Sequence, residues 1–111
     1  MQKKKLYLPY KAKTTTNKIL DFNFRLDENT NSPLAINEMI NLLLSKISSE
    51  IHIMKPSNGD IIQAICMVLV IRSRMIDYDI NKLEVIVKNT LENAFKDAKN
   101  SKVIEPNHGN T

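Results

Sequence analysis

From Ile61 to Ile71 the chain is apolar nearly all round, with Gln63 the exception in the run. Ser57-Asn58-Gly59-Asp60 stands just ahead of it and reads as a variant capping box, in which Ser57 accepts from the Asp60 amide while the Asp60 carboxylate reaches back. That carboxylate also suits the positive end of the helix dipole. The segment is therefore read as a helix, and a helix apolar on all faces must be buried on all sides. A 111-residue monomer with two amphipathic partner helices can hardly surround it, so a second subunit is expected. The longest unbroken apolar stretch, Ala64 to Ile71, is far short of a membrane span.

The length predicts one domain, and two Gly and four Pro are too few for most all-β designs or for low-complexity disorder. One cysteine, Cys66, allows no intramolecular disulfide. Met1 to Lys18 is polar and basic, without the apolar core of a secretory leader, so a soluble cytoplasmic protein is expected. The net charge of +4 is unevenly spread: Lys3, Lys4, Lys5, Lys11, Lys13, Lys18 and Arg25 face Asp21 alone in the first 25 residues, and the remainder is slightly acidic. A positive field on that N-terminal stretch could meet phosphate or an acidic surface, or be a solvated leader.

Residues 1–18 show no sustained period and read as a basic flexible arm. Leu20, Phe22, Phe24 and Leu26 then alternate strictly with Asp21, Asn23 and Arg25, which makes one strand. After a polar turn, Ser32 caps a helix with Pro33 at its first position. Ile36, Ile40, Leu43, Ile47 and Ile51 form its stripe to about His52, and Lys55-Pro56 breaks it. Past the apolar helix, Asp79 caps a third one, whose stripe of Leu83, Ile86, Val87, Leu91, Ala94 and Ala98 runs to about Asn100. The organisation expected is an arm over 1–18, one domain over 19–100 and a loose tail over 101–111.

A lone strand leaves its backbone groups unpaired. Pairing with the same strand of a second copy would give a two-stranded antiparallel ribbon on a mainly helical dimer, with Asp21, Asn23 and Arg25 facing outward. Such a ribbon fits the major groove of B-DNA, where Arg reads guanine, Asn reads adenine and Asp21 could accept from cytosine N4. The alternative is an ordinary amphipathic strand with a solvated face.

The strand Phe22-Asn23-Phe24-Arg25-Leu26 and the segment Lys55-Pro56-Ser57-Asn58-Gly59-Asp60-Ile61-Ile62-Gln63-Ala64, in this order and separation, resemble the ribbon-helix-helix DNA-binding family. The resemblance covers roughly residues 19–76. It implies a homodimer with one N-terminal strand per chain, a ribbon in the major groove and the start of each second helix, at Lys55, Ser57, Asn58 and Gly59, holding a phosphate. Base reading would fall to Asp21, Asn23 and Arg25, and non-specific affinity to Lys3, Lys4, Lys5, Lys11, Lys13 and Lys18. A first helix of about twenty residues and an extra C-terminal helix depart from the family pattern; the latter could enlarge the assembly or recruit another protein.

The function expected is sequence-specific binding of double-stranded DNA, as a transcriptional repressor or a plasmid or phage accessory factor. The rival is a helical protein-interaction module whose basic arm meets an acidic partner. No enzyme, metal or cofactor signature is found: Cys66 lies in the apolar helix and reads as a core thiol, His52 and His108 have no ligand companions, and Asp77 and Asp79 flank a helix start. Met39, Met54, Met67 and Met75 read as packing.

Overall fold

The computed structural model describes residues 6–105. In chain order they form strands β1 (Leu6–Lys13) and β2 (Ile19–Leu26), helices α1 (Pro33–Met54), α2 (Asn58–Met75) and α3 (Ile80–Lys99), and a short strand β3 (Lys102–Ile104). Sixty of these hundred residues are helical.

The helix boundaries follow from local chemistry. The Ser32 hydroxyl accepts from the Ala35 amide at 3.0 Å, with Pro33 at the first helical position of α1. The helix stops where Lys55 takes a left-handed φ of 52° ahead of Pro56. At α2 both halves of the capping box form: Ser57 Oγ accepts from the Asp60 N–H at 3.1 Å and Asp60 Oδ2 from the Ser57 N–H at 3.0 Å. Asp77, at φ 57°, ends that helix region, and Asp79 Oδ1 accepts from the N–H groups of Asn81 and Lys82 at 2.8 and 3.1 Å to start α3.

The sheet corrects the expectation of one unpaired strand per chain. It has three strands in the order β1-β2-β3, all antiparallel, so β2 is central and pairs within its own chain. Leu6–Lys13, expected in a flexible arm, lies along the whole of β2, from Leu6 opposite Leu26 to Lys13 opposite Ile19. Lys102–Ile104, expected in a loose tail, pairs with Ile19–Asp21. Lys3, Lys4, Lys5 and His108 lie outside the described residues.

The strand β1 carries the same period as β2. Leu6, Leu8, Tyr10 and Ala12 stand across from Leu26, Phe24, Phe22 and Leu20, and these eight share one face. Leu8 is buried, and the rings of Phe22 and Phe24 stack with centroids 5.0 Å apart. Pro9 is tolerated because β1 is an edge strand and its missing N–H would face away from β2. The connecting turn is built by threonine and asparagine: Thr14 N–H donates to the Lys18 carbonyl at 2.8 Å, Thr14 Oγ1 accepts from the Lys18 N–H at 3.0 Å, and Asn17 supplies the left-handed residue at φ 67°.

The described chain divides into two compact units. The first holds the sheet with residues up to 37 and from 91 onward; the second holds residues 38–90. In the second, Ser73 and Leu83 are buried on either side of the turn between α2 and α3, where Ser73 Oγ donates to the Leu69 carbonyl and the Tyr78 N–H to the Ser73 carbonyl.

The apolar helix is largely uncovered. Ile62, Ile65, Met67, Val68, Leu69, Val70, Ile71 and Met75 are all exposed, and so is Cys66, which corrects its reading as a core thiol. Met39 and Met54 of α1 are exposed as well. Burying a side chain of this size contributes about 1.5–3 kcal/mol. Because these side chains are 42–74% exposed, not fully so, covering the α2 set would be worth on the order of 7–13 kcal/mol, comparable with the whole stability of a small domain. A continuous apolar surface of that worth is the mark of an interaction face.

Candidate nucleic-acid interface

The hairpin of β1 and β2 presents its second face to solvent. The pairing sets Tyr7 opposite Arg25, Pro9 opposite Asn23, Lys11 opposite Asp21 and Lys13 opposite Ile19, and the alternation puts these eight residues on one side. Tyr7, Pro9, Lys11, Lys13, Asn23 and Arg25 are exposed there; Asp21 is half-buried, between β1 and Lys102 of β3. The outward placement of Asn23 and Arg25 agrees with the alternation in the sequence. Lys11 and Lys13 join them on a strand, which a mobile arm would not have fixed.

Three acidic groups offset this positive face. Asp21 stands directly across from Lys11. Lys18 lies 3.8 Å from Glu105, both partly exposed. Arg25 is held by Asp97 of α3: the carboxylate accepts from the Arg25 main-chain N–H at 2.8 Å and from its Nε at 3.0 Å. Asp97 was not singled out in the sequence; its partner lies 72 residues away, and no local pattern announces such a contact. Its role follows from topology. Strand β3 reaches only Ile19–Asp21, and beyond that point on the same edge Asp97 satisfies an N–H of β2 that would otherwise have no strand beside it. Asp97 is only 11% exposed whereas Arg25 is 43% exposed, so the contact ties down one end of the guanidinium and leaves the remainder toward solvent.

The residues expected to hold phosphate lie in the other unit, at the start of α2. The capping box occupies the Ser57 hydroxyl and the N–H groups of Ser57 and Asp60, which leaves the main-chain N–H groups of Asn58 and Gly59 for an anion or for water. The Asp60 carboxylate at the same place opposes an anion. Lys55 stands at the left-handed turn just ahead and is exposed. Gly59 needs no special conformation, since a Cβ there would meet only Ser57 Oγ at 3.7 Å, an ordinary contact.

Among the described residues no group of three or more His, Cys, Asp or Glu side chains is placed to hold a metal ion, and no helix is long and apolar enough to cross a membrane. Comparison with family models, with curated proteins and with solved structures gives no match to this chain.

Proposed function

We propose that the chain works in the cytoplasm as a homodimer that binds double-stranded DNA through the β1–β2 hairpin, as a transcriptional repressor or a plasmid or phage accessory factor. The observation that carries this reading is the exposed hairpin face on which Lys11, Lys13, Asn23 and Arg25 stand together. A two-stranded ribbon has the width of the major groove, and Asn and the free end of an Arg guanidinium match the donor and acceptor pattern of base edges. Here each chain supplies both strands of its own ribbon, unlike the shared ribbon that the ribbon-helix-helix resemblance implies. Lys11, Lys13 and Lys18 add phosphate contacts, and in the second unit the open N–H groups of Asn58 and Gly59 are a separate place for an anion. The uncovered apolar helix α2 supports the dimer.

One observation favours a protein-interaction module instead: Asp21, Asp97 and Glu105 offset three of the four cations of the hairpin and its turn. Titration of the full chain against a fluorescent duplex over a range of salt separates the two. DNA binding through at least four phosphate contacts per complex gives a slope of log K against log salt of about −3 or steeper. An interaction module gives no saturable binding.

A further inference from the structure

The exposed face of α2 has a pattern along it. Asp60, Ala64, Met67, Ile71 and Arg74 recur at steps of four, three, four and three, which places them on one stripe of the helix. All five are exposed. Charge is confined to the ends of the helix, with Asp60 in its first turn and Arg72 and Arg74 in its last. Asp60 Oδ1 is left open by the capping box, and neither arginine forms an ion pair among the described residues.

We infer that α2 pairs antiparallel with α2 of a second copy about a two-fold axis at Met67. This deepens the proposed dimer and rests on it. The register follows from charge. A two-fold axis at Met67 sets Asp60 of each chain against the partner subunit's Arg74. A parallel pair in the same register would bring Asp60 against the partner's Asp60 and Arg74 against the partner's Arg74, two repulsive contacts. The interface is self-complementary, as a two-fold contact must be. The apolar run between the charged ends would be covered along this stripe.

Because Met67 meets itself across the axis, M67E and M67K each place two like charges together. Each variant alone should lose dimerisation, with a dissociation constant raised at least about 100-fold, and an equimolar mixture refolded together should recover a dimer of one copy of each. Nitroxide labels give the direction. The axial offset between labels is about 3 Å at the native Cys66 and about 27 Å in C66S/N58C for an antiparallel pair, and is near zero at both positions for a parallel one. Dimers of M67E or M67K that match the unsubstituted chain, a mixture that stays unpaired, or equal label distances at 58 and 66 would each overturn this pairing. In the first and third cases the dimer itself stands and only its face or direction is wrong. A monomeric unsubstituted chain would remove both.

Discussion

The Asp97 carboxylate of α3 accepts from the backbone N–H of Arg25 at 2.8 Å and from its side-chain Nε at 3.0 Å, so one acidic residue both ends the sheet edge of β2 and restrains the arginine proposed to read bases. Arg25 therefore has a structural duty as well as a binding one. Arg25→Ala should weaken cognate duplex binding by about 1–3 kcal/mol per half-site. It should also lower stability by about 1 kcal/mol, since the pair is partly screened by solvent on the arginine side. Chemical denaturation and duplex titration of the same variant measure the two effects. Loss of stability with no change in binding would assign Arg25 to the fold alone.

Asp97→Ala separates the roles from the other side. It removes two charge-assisted hydrogen bonds from a nearly buried position, and stability should fall by about 1–3 kcal/mol. Duplex affinity at low salt should rise several-fold, because a negative charge leaves and the guanidinium is released. Unchanged or reduced affinity in a folded Asp97→Ala protein counts against the hairpin face as the DNA contact.

Lys11 and Lys13 test the electrostatic part. Truncation at residue 18 would remove strand β1 with the charges, so substitution is the cleaner probe. Replacing both by Ala removes four lysines per dimer, so the salt slope should become shallower by about three to four units if all touch phosphate, with sequence preference left in place. The slope is read from titrations at four or more salt concentrations.

Phe24→Ala probes the opposite face of the same hairpin. Phe24 is half-buried and stacked on Phe22, so its loss should cost about 2–3 kcal/mol, less than the roughly 3–5 of a fully buried Phe. Binding per folded molecule should be unchanged. If instead binding falls and stability holds, the two faces of the ribbon are assigned the wrong way round.

Gly59→Ala addresses the start of α2. The added methyl has room beside Ser57, and replacing a helical glycine should stabilise by about 0.5–1 kcal/mol in thermal unfolding. A fall in duplex affinity alongside that gain would mark close backbone approach of a phosphate at this turn.

The helices were legible because each is bounded by chemistry within a few residues: Ser32 with Pro33, the Ser57–Asp60 box and Asp79 act locally, and all three form as their sequences imply. The alternation of β2 was legible for the same reason, and it set Asn23 and Arg25 outward. The first strand was hidden by Pro9, which reads as a breaker unless the strand is known to lie at an edge with that nitrogen facing away from its neighbour. Strand β3 is three residues long, too short to show a period. The Arg25–Asp97 contact joins positions 72 apart and depends on where α3 ends beside β2, which no window of sequence contains. With β1 beside it in the same chain, β2 needs no second copy to pair with, whereas the uncovered helix α2 still lacks a covering surface.

Assembly through the uncovered helix α2 is the central claim, and sedimentation equilibrium of the full chain at micromolar concentration tests it most directly. The account predicts twice the mass of one chain, with unfolding that shifts to higher temperature as protein concentration rises. A stably folded monomer with concentration-independent unfolding would contradict it.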